Sequence, residues 1–145
     1  MPDNSNDDEN ADDDLLPTFP RSLGIRLTET GKDLVVGEMD VTDAFSNRNG
    51  VMHGGAIMAF IDSISGSAAA LNLQADERTT TLESKTNFLR PIAIGQRITA
   101  RCEPVHVGRK THMWQTTVFR EDGKIAALTT QTQMTLEWSP PTSTG

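Results

Sequence analysis

Residues 54–73 read GGAIMAFIDSISGSAAALNL, and the fold turns on them. Ile57, Phe60, Ile61, Ile64, Ala68 and Leu71 recur at three- and four-residue spacings, which is the stripe of an amphipathic helix. The spacing predicts a helix over Gly54–Leu73. At 100° per residue Asp62 falls about 140° from Ile57, beside Met58, Ser65, Gly66 and Ala69. A solvated helix face carries Lys, Glu and Arg, yet Asp62 is the single charged residue of this stretch. The second face is therefore expected to be covered by another subunit, around a partly buried carboxylate. Buried Asp is rare without a partner or a task. The plainer alternative is an Asp that hydrogen-bonds a neighbouring Ser or backbone group.

Upstream of the helix, Asp43–Val51 is polar and reads as a loop. Asp33–Asp40 reads as a strand, preceded by a short one near Ile25–Thr28, with Gly31 and Lys32 at the turn. Downstream, Thr79–Leu89, Gln96–Val107, Thr111–Arg120 and Lys124–Trp138 are rich in Thr, Val, Ile and aromatics. Pro91 and Gly95, Gly108, and Asp122-Gly123 punctuate them, the last pair being a strong hairpin signal. Two strands, one long helix and four strands in a meander predict an α+β domain with an antiparallel sheet.

The chain has 145 residues and a formal charge of −7. Asp3, Asp7, Asp8, Glu9, Asp12, Asp13 and Asp14 lie in the first 20 residues with no base, so the rest is balanced at 13 acids and 13 bases. Residues 1–16 are expected to form a disordered acidic tail, 17–138 one domain, and 139–145 a second tail. The single Cys102 makes no internal disulfide and points to a reducing compartment. No apolar run approaches the ~20 residues of a membrane helix, and the acidic start is unlike a signal peptide. A cytoplasmic protein that engages no membrane is expected. Nucleic acid is disfavoured, because no dense basic cluster with interleaved aromatics is present.

Several chemistries drop out on motif. There is no Gly-x-Ser-x-Gly elbow, and Gly108-Arg109-Lys110-Thr111 lacks the upstream glycine of a phosphate loop. A dinucleotide fingerprint is missing, so no cofactor is expected. Cys102, His106 and His112 match no zinc spacing, so no metal site is expected. His106 and His112 read as ordinary strand residues and Cys102 as a small core side chain. What remains is the run Asn47–Gly55, ending His53-Gly54-Gly55 at the helix start. Two glycines there leave the first N–H groups uncovered, able with the helix dipole to hold a carbonyl oxygen or an anion. Alternatively they only permit the turn and close packing.

Asn47-x5-His53-Gly54-Gly55-x6-Asp62, then Thr86-Asn87-Phe88-Leu89-Arg90-Pro91 and Val107-Gly108-Arg109-Lys110-Thr111, resembles the hotdog-fold acyl-CoA thioesterases of the phenylacetate-pathway type. The resemblance covers roughly residues 21–138 and implies a long helix wrapped by a curved antiparallel sheet. It further implies homodimers with active sites at the interface, commonly paired into homotetramers, and an acyl-CoA substrate. Carried over, Asp62 would be the catalytic carboxylate, acting on water as general base or attacking the carbonyl. Gly54, with Gly55 nearby, would donate N–H bonds to the thioester oxygen. Asn47 would help hold the carbonyl or water, and Thr81 stands where some relatives have a water-orienting Ser. His53 belongs to the turn at the substrate site. Arg90, Arg109 and Lys110 are candidate contacts to the CoA phosphates, or else solvated surface charges. Met58, Phe60 and Phe88 line or back the acyl pocket.

Geometry adds a condition. Gly54 and Asp62 are eight residues apart, about 12 Å along one helix. Both must come within about 3 Å of one reacting carbonyl, which one chain cannot arrange. A helix N-terminus from a second subunit, admitted by Gly66 and Ala69, is the expected solution. Two alternatives stay open: a hotdog acyl-thioester dehydratase or hydratase recruiting His53, and a non-catalytic acyl-CoA-binding oligomer.

Overall fold

The structure is a computed structural model and describes residues 15–141. Helix α1 spans Thr18–Ser22, and two short strands follow, β1 (Arg26–Thr30) and β2 (Val35–Asp40). After a 3-10 turn at Asp43–Phe45 comes the long helix α2 (Gly54–Ala70). Four strands complete the chain: β3 (Glu77–Phe88), β4 (Arg97–Val107), β5 (Thr111–Phe119) and β6 (Ile125–Glu137). No helix among the described residues is long and apolar enough to cross a membrane.

Helix α2 buries the expected stripe. Phe60, Ile61, Ile64 and Ala68 are fully buried and Ile57 nearly so. Each large side chain taken out of water here contributes on the order of 1.5–3 kcal/mol. The helix stops three residues before the expected Leu73. Asn72 Nδ2 donates to the Ala68 carbonyl and to the Lys32 carbonyl, 3.0 Å each, and so satisfies an end-of-helix acceptor. Gly37 in β2 admits the helix: a Cβ there would lie 2.3 Å from Ile64 Cδ1 and 3.0 Å from the Arg26 carbonyl.

All six strands form one antiparallel sheet in the order β1-β2-β4-β5-β6-β3, and α2 touches every strand from β2 to β6. The expected four-strand meander is corrected. Only β4-β5-β6 is a meander, closed at Asp122-Gly123, where Gly123 takes φ +79. Strand β3 lies at the far edge, paired with β6 from Glu77–Glu137 to Phe88–Ala127. Strand β4 already has β2 and β5 on its two sides, so no edge is left there for β3.

The sheet wraps α2 further than the helix wheel implied. Ser65 and Ala69, expected on the partner-covered face, are fully buried within the chain, and Ser65 Oγ lies 2.8 Å from Thr116 Oγ1 of β5. The uncovered face narrows to Met58, Asp62 and Gly66 with their flanks. Packing also begins earlier than the boundary at 17. Leu16 is buried in the core and Leu15 packs against it, whereas residues 1–14 and 142–145 of the expected tails lie outside the described residues.

Candidate active site

Two clusters hold the residues singled out in the sequence, and they sit at different places along α2. The first lies at its N-terminus. His53 is the N-cap residue, and its Nδ1 accepts the Gly55 N–H at 2.8 Å. That bond takes Gly55 out of the expected oxyanion pair. It also commits His53 to holding the turn, and no acid–base role remains for Nδ1 while it caps. Gly54 N–H has no acceptor among the described residues and stands at the positive end of the helix. The Phe88 ring lies over this residue, 3.4 Å from where a Cβ would be.

Asn47 closes the loop beside it. Its Oδ1 accepts the N–H groups of Asn49 (2.8 Å) and Val51 (3.2 Å), which turns its amide NH2 outward as a donor. Asn47, Gly54, Phe88 and Arg90 share the wall of a cavity of about 310 Å³. Arg90 is held at its rim by a 2.7 Å bond from Nη1 to the Ile125 carbonyl.

The second cluster surrounds Asp62, which is exposed in the chain. Its Oδ1 accepts Gln131 Nε2 at 2.9 Å and Thr81 Oγ1 at 3.3 Å. The structure thus places Thr81 beside Asp62. Beside Asp62 opens a cavity of about 410 Å³ between the N-terminal segment and α2, walled by Leu15, Phe19, Ala59, Gly66 and Ala70 among others. A Cβ on Gly66 would meet nothing within 4 Å. Met58 is exposed one turn before Asp62 and lines neither cavity, and Phe60 is fully buried in the core.

Arg109 and Lys110 do not join Arg90. They line a third cavity with Glu77 and Glu137 at the opposite end of β6, where Thr135 N–H donates to the Lys110 carbonyl. From Ala127, beside Phe88, to Thr135 is eight strand residues, roughly 26 Å. The three candidate contacts to the CoA phosphates are therefore separated within a chain. Cys102 is fully buried and burial pushes its thiol pKa up, which fits a core side chain rather than a nucleophile.

The sequence reading missed Gln131 and Gln133. Both face inward on β6, with 1% and 2% of their surface exposed. The alternating pattern from Ala127 to Met134 hides them, because its inward positions carry Thr and Gln while Leu128 and Met134 face outward. The available signal was the pair of glutamines two residues apart on one strand face.

Residues 49–127 match the thioesterase superfamily family model. The chain belongs to the thioesterase superfamily. A putative esterase of Haemophilus influenzae is 31% identical over 106 residues, spanning 73% of this chain and 76% of that one. The 1,4-dihydroxy-2-naphthoyl-CoA hydrolase of Escherichia coli is 30% identical over 103 residues, spanning 71% and 75%. A thioesterase structure from Haemophilus influenzae superposes with a TM-score of 0.81 at 28% identity, covering 89% of this chain and 90% of its own. The PaaI protein of the Escherichia coli phenylacetic acid degradation operon shares the fold, with a TM-score of 0.77 at 22% identity over 83% and 85% of the chains. This superfamily member has the hotdog architecture expected from the resemblance and is a thioester hydrolase.

Proposed function

We propose that the protein hydrolyses acyl-CoA thioesters to a carboxylate and free CoA, at sites built between two copies of the chain. Asp62 is the general base or nucleophile, and Gly54 N–H, helped by the Asn47 amide, binds the thioester oxygen. The observation that carries this reading is the division of the machinery. A free N–H at a helix start and a hydrogen-bonded carboxylate on the same helix lie about 12 Å apart, in separate cavities. The partner's N-terminal helix end, laid against the uncovered Asp62 face, would complete each site.

Polarisation by Gly54 N–H stabilises the developing oxyanion, and one such donor contributes roughly 2.7–4 kcal/mol. Asp62 then takes a proton from water as it adds to the carbonyl carbon and the CoA thiolate leaves; or Asp62 attacks the carbon itself, the thiolate leaves, and water cleaves the resulting anhydride to free the carboxylate and Asp62. The cavity beside Asp62 suits the acyl group, since its walls are largely apolar and it opens onto the reacting carboxylate. In an antiparallel pairing of two β3 edges, the Glu77 end of one copy meets the Phe88 end of the other. Arg109 and Lys110 of one copy would then reach the phosphates of CoA held at the Arg90 rim of its partner. That arrangement gives the separated cations a common task.

Acetyl-, hexanoyl-, palmitoyl-, benzoyl- and phenylacetyl-CoA, assayed for released thiol with wild type and Asp62→Asn, test the reading. Turnover of at least one thioester, lost in the variant, is expected. Wild-type protein that releases no thiol from any of them overturns it, and CoA retained without turnover would point to a binder.

A further inference from the structure

Buried glutamine is uncommon, and a buried amide without partners costs about 1–3 kcal/mol. Here two lie side by side on β6, and every side-chain polar atom of both is engaged. Ser84 Oγ donates to Gln131 Oε1 at 3.0 Å, and Thr79 Oγ1 donates to Gln133 Oε1 at 3.0 Å. The amide orientation of Gln131 follows from chemistry, because a carboxylate only accepts and the NH2 must face Asp62. Gln133 Nε2 donates to Thr81 Oγ1 at 2.9 Å, leaving the Thr81 hydroxyl proton for Asp62.

The donors therefore run one way: Ser84 to Gln131 to Asp62, and Thr79 to Gln133 to Thr81 to Asp62. Both chains end on Oδ1. Oδ2 has no partner among the described residues. A register shift between Thr81 and Glu83, at the exposed Leu82, makes this convergence possible. In a regular strand Thr81 and Ser84 would face opposite sides. The bulge returns Ser84 to the inner face, where both reach Gln131.

We infer that Gln131 is the positioning residue of the catalytic carboxylate: it clamps Oδ1 of Asp62 from beneath and leaves Oδ2 aimed at the water or carbonyl. This rests on the proposed role of Asp62. A bond from a neutral amide to a carboxylate is charge-assisted and short, so it restricts rotation of the carboxylate better than the exposed Thr81 does alone. Pre-setting the reacting oxygen lowers the entropy that must be lost on reaching the transition state. Gln133 acts one step further back, by fixing the Thr81 hydroxyl.

The test compares wild type, Gln131→Leu, Asp62→Asn and the double variant, on whichever of the five thioesters the wild type hydrolyses fastest. Folding is followed by thermal melting. Gln131→Leu is expected to lower kcat about 10–100-fold with KM held within about twofold. The double variant is expected to be no slower than Asp62→Asn, since the clamp has nothing left to position. A Gln131→Leu kcat within twofold of wild type, with Asp62→Asn inactive, overturns the inference and leaves the role of Asp62 standing. An equal loss in both backgrounds also overturns it. Wild-type turnover by Asp62→Asn removes the underlying reading itself. Should Gln131→Leu not fold, Ser84→Ala keeps the amide but frees its orientation. A several-fold drop in kcat is then expected, and an unchanged kcat refutes the clamp.

Discussion

Replacing Gly54 with proline removes its N–H and sets the ring Cδ in the place of that hydrogen. Gly54 is the first residue of α2, where proline is well tolerated because no helical bond uses that donor. The helix start stays tied by Ala56 N–H and Ile57 N–H to the His53 carbonyl (3.0 and 3.1 Å) and by the His53 cap on Gly55. His53 already has φ −64 and ψ 136, the extended geometry that a following proline demands. A Cβ at 54 meets the Phe88 ring at 3.4 Å, an ordinary contact. Gly54→Ala is thus the control, with the same contact and the N–H retained. If Gly54 N–H holds the oxyanion, Gly54→Pro loses roughly 2.7–4 kcal/mol, or about 10²–10³ in kcat, while Gly54→Ala stays near wild type. Thiol release measures both. Refolding a 1:1 mixture of Gly54→Pro and Asp62→Asn then tests the shared site. Half of the random dimers are mixed, and each mixed dimer holds one intact pair of Gly54 and Asp62. Activity should return to about a quarter of wild type. Gly54→Pro within threefold of wild type would refute the oxyanion role, and a mixture no more active than its parts would refute the shared site.

Two further outcomes follow from the packing. Burial pulls His112 below its ordinary pKa of 6.5, so the unfolded chain takes up a proton that the folded chain refuses. Stability should therefore fall as pH drops through about 6.5, by at most about 1.4 kcal/mol per pH unit, and His112→Leu should show a flatter melting-temperature profile between pH 7.5 and 5.5. An unchanged slope would show that His112 is not the responsible group. Ala70→Leu, at an exposed position of the same cavity wall, should fold and should lower kcat/KM for palmitoyl-CoA at least tenfold relative to acetyl-CoA. Equal effects on both would place the acyl group elsewhere.

The helix and the strand-rich half were legible because their patterns are local. Ile57, Phe60, Ile61 and Ile64 announce their burial by spacing alone, and Asp122-Gly123 announces its turn. Pairing of β3 with β6 is not local. It depends on which edges remain after β4 has found β2 and β5, so no window of sequence contains it. The glutamine clamp was hidden for a different reason. A polar side chain reads as outward unless its partners are known, and those of Gln131 lie on α2 and β3, 69 and 47 residues away in sequence. The bulge that brings Ser84 to it leaves no mark of its own at Leu82.

What the sequence did contain was the separation of Gly54 from Asp62, and its meaning depends on both being on one rigid element. Were either on a loop, motion within the chain could close 12 Å. On α2 the distance is set by the rise of the helix, and the sheet grips that helix from β2 to β6. On the proposed mechanism a second copy supplies the missing half, so the site makes demands on two surfaces at once: the helix start and the Asp62 face. That accounts for the composition of the uncovered face. Lys or Glu near Asp62 would suit a solvated monomer, but would hold off the partner's helix end and compete for the carboxylate. Gly66, Ala59 and Ser63 around it keep the approach short and leave the clamp from Gln131 as the main claim on Oδ1.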